Sequence, residues 1–322
     1  MHWPALSLIV PNYNGAALLK TSLESLVRAG KHYPGDWELI LVDDASTDGS
    51  LAVVEPLAGP IRILRHAQNR GFAEAVHSGL QAAAHAYIFL LNSDVSLSPD
   101  CIAPLVQALR EDEALFAVSP LVEDERGQPQ FVSWTRYRLI RGKLRPQPWT
   151  WETIQARQAA GKPLYGLYAS GGSMLFAKER FLALGGFLPL YRPFYSEDLD
   201  LCARAWMRGW KIRCVPESRV IHRSQGTIGR LFAPSLVRRI RLRNRFVFLL
   251  LYGEPGRIFL SYLPWNLLRA LTRLLRGDAT LLLALIQGMK MYPRIRAERR
   301  RLATAQPLLS PEALLHKISS EP

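Results

Sequence analysis

The sequence predicts an α/β fold in which helices flank a mostly parallel sheet, and three observations predict it. Short apolar runs recur through the first third: "ALSLIVP" (5–11), "ELILVD" (38–43), "IRILRH" (61–66) and "YIFLLN" (87–92). Each has the length and β-rich content of a strand buried on both faces. Between them, 16–29, 48–57 and 71–84 space their apolar residues as helices do. Polar clusters then follow every strand. Alternating β and α units imply parallel pairing through right-handed crossovers.

In chain order, strand one ends in "PNYN" (11–14), strand two in "DDAST" (43–47), strand three near "NRG" (69–71) and strand four in "NSD" (92–94). Turn formation and helix capping account for any one of these clusters, and Thr47, Asp48, Asn69 and Gly71 are suitable helix-start residues. Four clusters on one edge point further, because ligands of such sheets bind at the carboxyl ends of the strands. Residues 123–165, rich in Pro, Gly, Trp and Arg, read as an irregular loop bordering that edge. Beyond it, "YASGGSMLFAKERFLALGGF" (168–187) predicts a strand, a helix and a glycine turn. "SEDLDLCARAWMRGWKIRCVPESRVIH" (196–222) predicts a helix and then a strand.

Composition is that of an ordinary globular chain, with 322 residues, 48% hydrophobic and 21% charged. The net charge of +14 is not ordinary, and it is unevenly placed. Residues 1–222 carry 23 Lys or Arg against 22 Asp or Glu, whereas residues 223–322 carry 18 against 5. A basic segment of this kind meets nucleic acid or an anionic membrane surface. From Arg238 the charges are interleaved with Leu, Ile, Phe and Trp at helical intervals, as in "RIFLSYLPWNLLRALTRLLRG". So much apolar surface argues against nucleic acid. The uncharged stretches Ile258–Leu268 and Ala279–Met289 are 11 residues each, too short to span a bilayer, which takes roughly 18–20. A basic amphipathic helical extension with Phe259, Tyr262 and Trp265 suits the lipid interface instead. The same faces could pack on the rest of the chain or on a second copy in a homodimer. Three cysteines without a CxxC pair, and an amino terminus without a signal-like apolar core, read as a cytoplasmic protein held at the inner face of the membrane.

The motifs "SLIVPNYNG", "LILVDDASTDGS", "NRGFAEAVHSGL", "YIFLLNSDV", "ASGGSMLFAKE" and "SEDLDLCARAWMRGW" followed by His222, in this order, resemble the inverting family 2 nucleotide-sugar glycosyltransferases of the GT-A fold, in particular their rhamnosyltransferase-like bacterial branch. The resemblance spans about residues 5–225. It implies a catalytic domain over 1–225, divided into a nucleotide-sugar half (1–122) and an acceptor half (123–225), with the basic extension over 226–322. It implies a UDP- or dTDP-sugar donor, and an acceptor that is a lipid-linked or cell-envelope glycan. Donor contacts would fall on Pro11, Tyr13, Asn14, Asp43, Asp44, Arg70, Asn92 and Ser93.

The family's metal motif is Asp, any residue, Asp, and here Asn92 replaces the first acid. The resemblance assigns Asp94 and His222 to a Mn²⁺ or Mg²⁺ ion. One or two protein ligands suffice when substrate phosphates complete the shell, and an imidazole favours Mn²⁺. In the "ED" motif the Asp takes the acceptor proton, so Asp198 is the expected base and Glu197 its support. Asp200, Gly171 and Gly172 are the remaining expected acceptor or sugar contacts. The missing acid leaves one alternative, a catalytically silent nucleotide-sugar-binding or scaffolding protein, and a nucleotidyltransferase is a second, since it too uses a nucleotide-binding α/β sheet and a metal. The second would need a glycine-rich basic motif after strand one, which "PNYNG" lacks.

Overall fold

The computed structural model describes residues 2–54, 57, 61–130, 132, 135–140, 143–148, 150–223 and 227–321. The first third forms as the periodicity requires. Strands β1 (Leu6–Asn12), β2 (Trp37–Asp43), β3 (Ile61–Arg65) and β4 (Tyr87–Leu91) alternate with α1 (Ala16–His32), α2 (Ser50–Val54) and α3 (Phe72–Ala82). β1 pairs in parallel with β2 and β4, and β2 with β3. Two of the expected elements differ in detail. β3 is not buried on both faces: it is the sheet edge, pairs only with β2, and exposes Arg62, Ile63 and Arg65. The second helix is five residues long rather than ten, and 55, 56 and 58–60 lie outside the described residues.

Beyond β4 the sheet becomes mixed. β5 (Val95–Leu97), α4 (Ile102–Glu111) and β6 (Leu115–Glu123) lead to β10 (Ser173–Ala177) and β11 (Lys211–His222). The order is β3-β2-β1-β4-β10-β6-β11-β5, nine strands with the short β9 (Leu164–Tyr165) added beside β11. β10 runs antiparallel to β4 and β6, while β11 is parallel to β6. Side-chain alternation sends Leu6, Leu8 and Val10 of β1 to one face, under α1 and α4, and Ile9 to the other.

The segment expected to be irregular contains four regular elements among its described residues, β9 and three others. β7 (Thr135–Ile140) and β8 (Lys143–Pro148) form a separate antiparallel ribbon, and α5 (Trp151–Ala159) follows. A two-stranded ribbon consists only of edges, so the prolines of β8 cost it little. Thr150 caps α5 by accepting the Thr153 N–H.

After β10 come α6 (Lys178–Ala183), a 3₁₀ turn at Pro189–Tyr191, α7 (Glu197–Met207), β11 and α8 (Thr227–Leu231). α9 (Pro234–Tyr252) then crosses the sheet face that carries Ile9, and its residues 246–252 are all buried. α10 (Pro255–Arg257), a π turn at Ile258–Tyr262, α11 (Leu263–Leu274), α12 (Thr280–Lys290), α13 (Tyr292–Ala305) and α14 (Pro311–Ser319) complete the chain. Leu281, Leu285, Ile295, Leu302 and Leu314 of these helices share one core with the sheet. Their opposite faces stay open, with Leu260 84% and Leu275 90% exposed. No helix among the described residues is long and apolar enough to cross a membrane.

Candidate active site

The expected residues converge on the carboxyl edge of β1, β2 and β4, where the parallel topology places their last polar residues side by side. Asn12 of β1 is almost fully buried and donates through Nδ2 to Asp43 Oδ1 (3.2 Å) and Ser46 Oγ (3.1 Å). Asn14 is held in the left-handed region (φ 52°); its N–H donates to Ser46 Oγ and its Oδ1 accepts the Thr47 N–H. Pro11 is buried in the strand end, and Tyr13 is partly exposed beside it.

The acidic pair after β2 is committed to protein groups. Asp43 Oδ2 accepts the Ser46 N–H (3.2 Å), and Asp43 is fully buried. Asp44 accepts the N–H of Arg70 (2.8 Å) on Oδ1 and of Gly71 (2.7 Å) on Oδ2, and His66 Nδ1 lies 2.6 Å from Oδ1. Gly71 starts α3 at φ 87°, a geometry that glycine adopts without strain. Arg70, expected to face the nucleotide, turns outward and pairs with Glu74 at 3.0 Å, because an i,i+4 partner lies within reach. An open pocket of about 420 Å³, lined by Ala45, Ser46, Thr47, Arg65, His66 and Ala67, lies at this end of the sheet.

Asp94 and His222 are brought together by strand register. β5 pairs antiparallel with β11 so that His222 lies opposite Val95, the residue after Asp94. His222 Nε2 is 3.7 Å from Asp94 Oδ1, a buried oxygen with no hydrogen-bond partner. Gln130 fixes the imidazole: its Nε2 donates to the His222 carbonyl (2.8 Å) and its Oε1 lies 3.1 Å from Nδ1. With Nδ1 engaged by Gln130, Nε2 is the ring nitrogen turned toward Asp94. A buried carboxylate oxygen without a hydrogen-bond partner beside an imidazole nitrogen is a donor set that fits Mn²⁺, and Mg²⁺ less well. Among the described residues no group of three or more His, Cys, Asp or Glu could hold a metal, so the remaining ligands would come from phosphate and water.

A single turn joins this corner to the expected base. The Gly172 carbonyl accepts the Asn92 N–H (2.9 Å), and the Gly171 N–H donates to Asp198 Oδ2 (3.1 Å). A Cβ on Gly172 would stand 2.7 Å from Asn92 Nδ2, so a larger residue there would push the Asn92 amide aside. Ser93 is buried beneath Asn92, with its Oγ 3.0 Å from where a Cβ on Gly15 would lie.

Glu197 and Asp198 open α7, whose dipole favours carboxylates there. Asp198 Oδ1 also accepts the Leu199 N–H (2.8 Å). Burial raises the Asp198 carboxyl above its usual range against the pull of those backbone bonds. Burial, and then the Asp198 charge, push Glu197 up to about 8, and its Oε2 is buried without a partner. The preceding residues Tyr195 and Ser196 both have left-handed backbones (φ 74° and 76°), which cost about 1–3 kcal/mol each. Asn244 of α9 holds that turn by donating to the carbonyls of Tyr191, Phe194 and Tyr195.

Asp200 corrects the sequence reading. It is fully buried, receives Arg204 at 2.8 Å on one oxygen, and accepts the hydroxyls of Tyr191 (3.0 Å) and Tyr252 (2.7 Å) on the other. The first turn of α7 points its side chain inward, so it braces the helix and is closed off from any acceptor. Sequence reasoning also passed over Asn12, Ser46, His66 and Gln130. The first two stand inside "PNYN" and "DDAST", whereas Gln130 lies in the stretch read as loop and carries no local signal.

Comparisons with known proteins identify the family and the fold. The model of glycosyl transferase family 2 matches residues 7–176. An N-acetylglucosaminyl-diphospho-decaprenol L-rhamnosyltransferase of Mycobacterium tuberculosis is 27% identical over 244 residues, covering 70% of this chain and 78% of its own. Human polypeptide N-acetylgalactosaminyltransferase 16 is 27% identical over 230 residues, covering 68% of this chain and 40% of its own. Among solved structures, GalNAc-T7 with UDP, GalNAc and Mn²⁺ superposes with a TM-score of 0.65 at 16% identity, over 98% of this chain; the chain spans only 57% of that protein. The Pyrobaculum calidifontis mannosyltransferase PcManGT with GDP-Man and Mn²⁺ gives 0.56 at 19% identity, over 99% of this chain and 87% of its own. These two likenesses show the GT-A fold. With the family model covering more than half of the residues, the chain belongs to glycosyl transferase family 2.

Proposed function

We propose that the chain is an inverting glycosyltransferase that moves a sugar from a UDP- or dTDP-sugar to a hydroxyl of a lipid-linked or envelope glycan at an anionic membrane surface. The observation that carries this reading is the Gly171–Gly172 turn, which hydrogen-bonds to Asn92 on one side and Asp198 on the other. It holds a candidate base within reach of a sugar whose diphosphate lies by Asp94. The nucleoside side is the open pocket lined by Ser46 and His66, and Asn14 adjoins it through its hydrogen bonds to Ser46 and Thr47.

Asp198, oriented by two backbone N–H groups, takes the acceptor hydroxyl proton. The acceptor oxygen bonds to the anomeric carbon from the face opposite the diphosphate, the bond from that carbon to the phosphate oxygen breaks, and the configuration inverts. Asp94 and His222 would hold a divalent cation, which supplies positive charge for the departing diphosphate. Glu197 keeps its proton at neutral pH and so leaves the negative charge on Asp198.

The mycobacterial relative's acceptor is, by its name, a sugar on diphospho-decaprenol, and this supports a lipid-linked acceptor here. The exposed Leu260, Trp265, Leu268, Leu271 and Leu275, interleaved with Arg269, Arg273 and Arg276, support docking on an anionic membrane. Release of nucleoside diphosphate from a panel of sugar nucleotides, with and without Mn²⁺, tests the reading. A positioned base contributes roughly 100- to 10,000-fold, so Asp198→Asn should lose that much turnover while binding donor normally. Normal turnover by that variant at saturating substrate would remove Asp198 as the base.

A further inference from the structure

Five arginines crowd α9 between 238 and 245, at 238, 239, 241, 243 and 245. Among the described residues only Arg238 has an acidic partner, Asp278 at 3.0 Å. Arg241 and Arg245, like Arg239 and Arg243, stand four apart, where like charges repel. A solvated face would leave such side chains loose, but here several are held in place. Arg241 lies over the Tyr195 ring, 4.3 Å from its centre, and donates to the Tyr195 hydroxyl (2.8 Å). Arg243 donates to the Arg192 carbonyl and to Asn244 Oδ1. Arg245, exposed one turn after Arg241, makes no hydrogen bond or ion pair with a described residue, and Arg239 Nε is buried without a partner.

This basic row lies between two other features. Tyr195 stands three residues before Asp198, so Arg241 sits on the turn that leads into α7. On the other side, Phe246, next to Arg245, stacks on Tyr262 with ring centres 5.8 Å apart. α11 begins immediately after Tyr262 and exposes Trp265, Leu268 and Leu271. Arg245 reaches both flanks electrostatically. Burial pushes the phenols of Tyr137 and Tyr262 up to about 12 and the Arg245 charge pulls against it in each, while Tyr137 also feels Asp198.

We propose that Arg241 and Arg245 form a subsite for the diphosphate of a lipid-linked acceptor, with the exposed face of α11 receiving its lipid chain. The proposal rests on the glycosyltransferase reading and names the chemical class of its acceptor. Side chains one turn apart have Cβ atoms about 5–6 Å from each other, a separation that suits two adjacent phosphates. Guanidinium groups bind phosphate through paired N–H donors. Donor phosphates belong to the Asp94–His222 corner, which leaves this second cationic site for the acceptor. The order along the molecule is then base, diphosphate, lipid.

The test is binding of farnesyl diphosphate, inorganic pyrophosphate and farnesol to the full chain with divalent metal chelated. Farnesyl diphosphate should bind the unaltered chain and Asp94→Ala equally. The double variant Arg241→Ala/Arg245→Ala, and Arg245→Ala alone, should weaken it at least about tenfold. Unchanged affinity in the double variant overturns the subsite, and so does farnesol binding as tightly as its diphosphate. Pyrophosphate binding as tightly as farnesyl diphosphate overturns the lipid part. UDP or dTDP binding with Mn²⁺ by the unaltered chain reports separately on the glycosyltransferase reading. Nucleotide binding without farnesyl diphosphate binding defeats the subsite alone.

Discussion

At the start of α7, two adjacent carboxyl groups divide one proton unequally. Asp198 is hydrogen-bonded by two backbone N–H groups, which favours its anion, whereas Glu197 has one buried oxygen without a partner, and burial outweighs the backbone N–H groups that favour its anion. The consequence for stability has a definite sign. Glu197 is raised from 4.5 to about 8 in the folded chain, so between those values the folded state keeps a proton that the unfolded state has lost. Stability therefore falls as pH rises through that window and levels off above it. Glu197→Gln removes this dependence and should be more stable than the unaltered chain at pH 8, by on the order of 1 kcal/mol or more. The advantage should shrink toward pH 5. Denaturant unfolding at the two pH values measures it, and an advantage that does not grow with pH would mean Glu197 ionises freely in the folded state.

At the scale of elements, α7 and α9 are clamped through Asp200. Arg204 bonds to Asp200 and to the carbonyls of Leu184 and Gly186, while Tyr252 closes the cluster from α9. Removing one partner of a buried pair strands the other, which typically costs about 3–5 kcal/mol, so Arg204→Met should lower stability by that amount in denaturant unfolding. A loss below about 1 kcal/mol would contradict this clamp. The sequence made the strand-end clusters legible because polar residues interrupt apolar runs at fixed places. It could not show that Asp200 points inward, since three first-turn acids read alike until tertiary contacts separate them. Nor could it show the 135–148 ribbon, whose prolines mimic a loop, or Gln130, whose role exists only once β11 brings His222 beside it. The edge position of β3 was hidden for a related reason: "IRILRH" has strand content, but neighbour order is a property of the whole sheet.

Across the whole molecule, the basic last hundred residues have a double character. One side of α9 and α12–α14 completes the core, while the π turn, α11 and α12 leave large apolar residues in solvent. Replacing Trp265, Leu268, Leu271 and Leu275 with Ser should leave folding intact and reduce binding to vesicles rich in anionic lipid at least tenfold, as sedimentation would show. Equal sedimentation of the two proteins would place the membrane contact elsewhere or nowhere. The central claim is that the Asp94–His222 corner and Asp198 work together on one donor sugar, with Asn92 a neutral neighbour. It is tested most directly by Mn²⁺-dependent release of nucleoside diphosphate from UDP- and dTDP-sugars by Asp94→Ala and Asn92→Asp. The account predicts that Asp94→Ala abolishes metal-dependent release and that Asn92→Asp retains it. Full activity in Asp94→Ala would contradict it.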